Sequence, residues 1–240
     1  MVITVLQTQW LHEPPTNSDC YCFPYIFDTM NWIKKIAFAV LVLVATFLLY
    51  YKFWFLRFPE RNIPNDNTVF VSPANGKIVS IAPWNSETLT VTKEKFGAIN
   101  VWTKDVDTAG TIVSIQMNVT NVHFQRAPLA SKLLNERHVS GSFNNAVLMS
   151  NEYGIRFENE HNELLFEATD GKRFKLVQVA GFVARRIVDY VSPNQELKQG
   201  DLVGLIKLGS QVTVLLPHGV NVNANVGDIV TEGETVLANW

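Results

Sequence analysis

From Ile36 to Leu56 the chain reads IAFAVLVLVATFLLYYKFWFL, an apolar run whose only charge is Lys52. Wound as a helix, this run spans about 31 Å, close to the thickness of a bilayer's hydrocarbon core. A core helix in a domain of ordinary size keeps a polar face, and this run has none. A signal peptide has a shorter apolar stretch followed by a small-residue cleavage site, a pattern this run does not show. The run therefore predicts a transmembrane anchor over residues 33–57, with Lys52 snorkelling to the headgroups and Tyr50, Tyr51 and Trp54 suited to the interface. Lys34 and Lys35 flank one end, and Lys52, Arg57 and Arg61 flank the other. That slight excess predicts a single-pass protein of the cell membrane with its C-terminal domain in the cytoplasm. Residues 1–32 are expected to be an N-terminal tail; the stretch before Met30 lacks periodicity and Met30-Asn-Trp-Ile-Lys-Lys has the look of a natural start, so residues 1–29 are expected either to be a disordered tail or to be absent from the mature protein. Cys20 and Cys22 lie in that tail without a zinc-spaced partner and read as incidental, and no metal site is expected.

Residues 58–240 are expected to form one domain. A net charge of -2 without a basic stripe excludes a nucleic-acid partner, because nothing would release counterions from a phosphate backbone. Short β-rich runs follow Pro64: 68–72, 77–82, 88–92, 111–119, 174–188, 202–208 and 211–217. Asn75-Gly76, Asp170-Gly171, Gly200-Asp201 and Gly227-Asp228 separate them, pairs favoured where the chain needs positive φ. No glycine-rich phosphate loop follows any run, so a nucleotide fold has no support. The expectation is a mainly β fold, a barrel or sandwich of antiparallel strands, plus one N-terminal transmembrane helix. The stretch from Val226 to Ala238 resembles the paired turns of hammerhead β-barrels, the folds of biotinyl and lipoyl carriers. No lysine follows Lys207 to carry such a group, so only the architecture is expected to be shared.

Several separated segments then occur in a telling order. Phe55-Leu-Arg-Phe-Pro-Glu-Arg-Asn-Ile-Pro64 comes first, followed by Val71-Ser-Pro-Ala-Asn-Gly-Lys-Ile78 and Asn121-Val-His-Phe-Gln-Arg-Ala-Pro128. Glu158-Asn-Glu160, Gln178-Val-Ala-Gly-Phe-Val-Ala-Arg-Arg-Ile187 and Ile206-Lys-Leu-Gly-Ser-Gln-Val-Thr-Val-Leu-Leu-Pro217 complete the set. Together they resemble the short, archaeal-type phosphatidylserine decarboxylases across nearly the whole chain after the anchor. The resemblance implies a precursor that cleaves itself between Gly209 and Ser210. A serine hydroxyl attacks the preceding carbonyl, and β-elimination of the ester leaves dehydroalanine, which hydrolyses to a pyruvoyl group and ammonia. Gly209 offers no side chain to obstruct the attack. The covalent pyruvoyl group forms a Schiff base with phosphatidylserine and accepts electrons as carbon dioxide leaves, giving phosphatidylethanolamine. Expected partners are that lipid and the surrounding membrane phospholipid, with the two cleavage chains paired as a heterodimer; homo-oligomerisation is left open.

His123 is the implied acid/base, taking the Ser210 proton during maturation or protonating the carbanion later. Arg126 suits bidentate pairing with phosphate or carboxylate, and a structural ion pair is the equal alternative. His12, His138, His161 and His218 lack such a frame and read as surface or structural residues. Asn75 stands where the family usually has an aspartate that orients the histidine; in serine proteases the same swap costs about 10^4-fold in turnover. Asp105, Asp107 and Asp189 are candidates to replace that charge. Phe58, Asn118-Val119, Ser131 and Gln211 are milder departures from the family pattern. The alternative expectation is an unprocessed relative that binds phospholipid without turnover. Decarboxylation of a soluble amino acid is disfavoured by the anchor.

Overall fold

The computed structural model describes residues 22–92, 98–140, 160–180, 187–207 and 210–240, and the chain divides between Leu48 and Leu49. The first unit is helical. Helix α1, Cys22–Leu49, begins ahead of the apolar run, and the stretch Asn31–Phe55 has a mean hydropathy of 2.2, long and apolar enough to cross a membrane. At Tyr50–Phe55 the backbone loosens into a π-helical turn, with the Leu56 amide donating to the Tyr51 carbonyl at 3.1 Å. Such turns insert one extra residue and redirect the side chains that follow.

The second unit is built from strands. In chain order they are β1 (Val69–Val71), β2 (Gly76–Trp84), β3 (Thr88–Thr92), β4 (Ala98–Trp102), β5 (Gly110–Met117) and β6 (Phe124–Arg126). There follow β7 (Ser131–Val139), β8 (His161–Ala168), β9 (Arg173–Ala180), β10 (Ile187–Asp189) and β11 (Glu196–Leu197). The last are β12 (Leu202–Ile206), β13 (Ser210–Pro217), β14 (Asn221–Val222), β15 (Ile229–Val230) and β16 (Val236–Asn239). Among the described residues they form an antiparallel sheet of order β11-β7-β8-β9-β13-β5-β2-β15, two three-stranded sheets (β10-β12-β6 and β1-β16-β14) and the hairpin β3-β4. The expected mainly β architecture is what the chain adopts. Strand β13 shows why its sequence is apolar without alternation: Val212, Val214 and Leu216 enter one core while Leu215 enters a second on the other face. Its polar Thr213 pairs hydroxyls at 3.0 Å with Ser114, its neighbour across the ladder on β5.

The hammerhead turns have a second copy that the sequence reading did not detect. In the first, Gly227 and Asp228 exchange backbone hydrogen bonds with Ile78, and Gly233 and Thr235 bond to the two sides of Ser72. In the second, Asn194 and Gln195 exchange bonds with Leu133, and Gly200 and Asp201 bond to the two sides of Ala127. The two crossed segments, SPANGKI at 72–78 and APLASKL at 127–133, share proline and lysine at matching places. They also bond reciprocally, Val71 N to Pro128 O at 3.1 Å and Arg126 N to Pro73 O at 2.9 Å, as an approximate two-fold axis requires. Ile63 lies between the copies. A Cβ on Gly200 (φ 88°) would come within 2.6 Å of its side chain, and one on Gly233 (φ 78°) within 2.7 Å. Both positions therefore need glycine twice over, for the left-handed backbone and for the space.

This arrangement fixes the post-anchor segment. Arg61 donates to Glu232 through Nε and Nη2 at 2.9 and 2.7 Å, and the Asn62 amide reaches Glu234 at 2.9 Å. One expectation is corrected here. Asn75-Gly76 is not a positive-φ turn; Gly76 starts β2, and its need for glycine is the Gln116 carbonyl, 2.3 Å from where a Cβ would sit.

Candidate functional site

Backbone register brings His123 beside the segment that leads to Ser210. Strand β6 pairs with β12, Phe124 opposite Leu205, and the Ile206 amide donates to the His123 carbonyl at 3.3 Å. Ser210, the first residue of β13, lies opposite Met117 at the end of β5. The chain thus passes between the same two sheets twice, from β5 to β6 and from β12 to β13. Leu208 and Gly209 lie outside the described residues.

His123 is fully buried, its ring tilted against Phe55 with centroids 4.1 Å apart. Nδ1 lies 2.9 Å from the Asn121 carbonyl, while Nε2 is buried with no hydrogen-bond partner among the described residues. A carbonyl only accepts, so Nδ1 carries the proton and Nε2 presents its lone pair. Burial pushes the imidazole pKa down to about 4; the Asn121 carbonyl opposes this, and the Arg57 charge adds a lesser push in the same direction as burial. At neutral pH the ring is a neutral base.

Asn75 meets His123 through an intermediary. Its Oδ1 accepts from Asn121 Nδ2 at 2.6 Å, and the same Asn121 supplies the carbonyl that fixes the ring. The Asn118–Asn121 turn is pinned further by Asn121 Oδ1 accepting from the Asn118 amide at 2.8 Å, by Arg57 donating to Thr120 O at 2.6 Å, and by Tyr50 donating to Val119 O at 3.0 Å. An amide at position 75 therefore serves as an acceptor, and the tautomer comes from the backbone.

Of the candidate replacements for the missing charge, two are engaged elsewhere. Asp105 pairs with Lys175 at 2.8 Å, and Asp107 accepts from the Thr108 and His218 amides. Asp189 belongs to a buried polar chain that sequence reasoning missed: Gln125 Nε2 donates to the His123 carbonyl at 2.6 Å, Gln178 to Gln125 at 3.1 Å, and Asn162 to Asp189 at 2.7 Å. Burial, reinforced by the Glu136 charge, raises the Asp189 carboxyl to about 6. The available signal was polar residues at inward positions of otherwise apolar strands, as Gln178 is in FKLVQVA.

Arg126 is buried and donates to the carbonyls of Gly200 and Pro59, each at 3.0 Å, with its guanidinium 4.1 Å over Phe58. Its Nε is buried and has no hydrogen-bond partner among the described residues. Of the other histidines, His161 is buried 3.7 Å from Glu163, His138 lies at the surface 3.7 Å from Glu160, and His218 follows β13; His12 lies outside the described residues.

Known proteins give this geometry a context. A sequence model of phosphatidylserine decarboxylase matches residues 50–238. A phosphatidylserine decarboxylase proenzyme of Chlorobaculum parvum is 37% identical over 225 residues, 94% of each chain. One of Desulfotalea psychrophila is 36% identical over 82% of this chain and 81% of its own, and one of Ruegeria pomeroyi 35% over 90% and 91%. Likeness over this length carries both the β-domain and the segments around His123 and Ser210, and on it the chain belongs to the phosphatidylserine decarboxylase family.

Proposed function

We propose that this chain is the precursor of a membrane-bound phosphatidylserine decarboxylase that cuts itself between Gly209 and Ser210. The observation that carries the reading is His123: a neutral, buried imidazole whose Nε2 has no partner among the described residues, one residue ahead of β6, which pairs with the segment that runs into Ser210. In this reading Nε2 takes the Ser210 hydroxyl proton as the oxygen attacks the Gly209 carbonyl, and Asn121, braced by Asn75, holds the ring in the tautomer that can do so. The buried Nε2 fits a reactive group that lacks other partners. A pyruvoyl group derived from Ser210 would supply the electron sink for loss of carbon dioxide. His123 would then protonate the product carbon, and Arg126 Nε is the donor left over for a lipid headgroup. In this reading residues 33–57 anchor the chain and residues 58–240 form the catalytic domain, and the cation excess after the span supports a cytoplasmic side for that domain.

Mass spectrometry of the purified chain tests this. The expected result is two chains divided between 209 and 210, the second beginning with a pyruvoyl group, and a single intact chain for Ser210→Ala. An intact wild-type chain after prolonged incubation overturns the reading. With cleavage established, labelled phosphatidylserine should yield phosphatidylethanolamine.

A further inference from the structure

We infer that the β-domain face around His123 is a docking surface seated in the phospholipid headgroup layer, so that the domain is oriented on the bilayer as well as tethered to it. The inference deepens the proposed function and rests on its membrane-bound part. Five large apolar side chains of the second unit stand open to solvent here: Phe53 (69% exposed), Trp54 (51%), Phe58 (47%), Val119 (51%) and Tyr190 (47%). They come from three separate stretches of sequence and are tied by two sets of contacts that adjoin in the chain at Arg57-Phe58. Arg57 stacks over Trp54 at 4.6 Å and donates to Thr120 O, next to Val119, whose carbonyl accepts from Tyr50. Phe58 meets Phe124 edge-on at 5.1 Å, and Phe124 stacks with Tyr190 at 6.4 Å. His123 packs against Phe55, within the stretch that supplies Trp54 and Phe58, and stands one residue before Phe124.

A contiguous exposed apolar patch marks an interaction site. Its composition selects the occupant. Trp, Tyr and Phe interleaved with Lys52 and Arg57 match the headgroup layer, where amphipathic rings settle and cations meet phosphate. The chain also enters the patch directly from the apolar stretch, since Phe53 and Trp54 belong to its last turn. A lipid seated there presents its headgroup at the histidine without leaving the bilayer. Val119 and Tyr190 make the claim specific, because neither belongs to the anchor.

The full chain in phosphatidylcholine–phosphatidylglycerol nanodiscs, one copy per disc, tests the inference without reference to catalysis. With Cys20 and Cys22 replaced by serine, a bimane label is placed by Val119→Cys, by Tyr190→Cys, or by Thr90→Cys in the exposed β3–β4 hairpin. The expected result is quenching of 119 and 190 by lipids brominated high on the acyl chain, with collisional quenching by aqueous iodide about fivefold weaker than at 90. Iodide quenching equal at all three positions overturns the inference. Shielding that appears only with two copies per disc overturns it too, in favour of a second chain as the occupant. Loss of self-cleavage or decarboxylation in the unlabelled chain bears on the proposed function alone.

Discussion

The two crossed-turn copies share a backbone plan and differ in what they were left free to do. In the copy around 127–133, Ala130 fills the place that Asn75 holds in the copy around 72–78. Its turns serve packing: Gln199 donates from one amide nitrogen toward Asp66, Val69 and Pro128 carbonyls. In the first copy Asn75 instead reaches out to Asn121 and, through it, to His123. In the proposed reading, matched backbone carries a side chain that works toward the histidine in one copy and not in the other.

The sharpest way to break this comparison is to exchange those side chains. Asn75→Ala should slow self-cleavage about a hundredfold by releasing Asn121 and the imidazole tautomer, while Ala130→Asn should leave it unchanged. Gel analysis of the two chains over time reads both, and equal effects would dissolve the asymmetry. Stability should show the reverse, a shared cost. Gly200→Ala and Gly233→Ala should each destabilise by about 2 kcal/mol, from positive φ and collision with Ile63. Chemical denaturation in an Ile63→Ala background should recover part of each loss.

Charge sharpens the contrast further. The His123 pKa is depressed, so the unfolded chain binds its proton first as pH falls, and stability contributed by the neutral ring is lost between about 6.5 and 4. Asp189 is raised to about 6, so the folded chain keeps that proton longer and stability from it is lost as pH rises through about 6. The two oppose each other over much of that window. Removing the second by Asp189→Asn should steepen the acid loss of stability seen in denaturation midpoints. The smallest effect expected is from Asn75→Asp, which keeps the acceptor for Asn121 and adds a charge near the ring. The pH of half-maximal self-cleavage should rise by about one unit.

How much of this was legible beforehand depended on whether neighbouring residues in the sequence were neighbours in space. The anchor, and strands such as β3 and β13, announced themselves through runs of apolar or β-branched residues. Strand β8, HNELLFEA, did not, because Asn162 and Glu163 are buried and answered by Asp189 and by Lys175 from β9. The second hammerhead turn hid because Asn194 and Gln195 stand where the first has Gly227-Asp228. For the site, the ordered motifs pointed to His123, Asn75 and Arg126. Sequence could not say that Asn75 acts through Asn121, since that depends on a side-chain contact between residues 46 positions apart.

Strand β13 has one consequence for what happens after a cut at its start. It is held along its length by β5 on one side, from Ser210–Met117 to Pro217–Gly110, and by β9 on the other. Beyond it, β15 and β16 pair with β2 and β1. Breaking the peptide bond before Ser210 therefore frees an end without freeing a piece. The two polypeptides should remain interlocked for the lifetime of the folded state, and exchange of isotopically labelled C-terminal chains between processed molecules should be no faster than global unfolding.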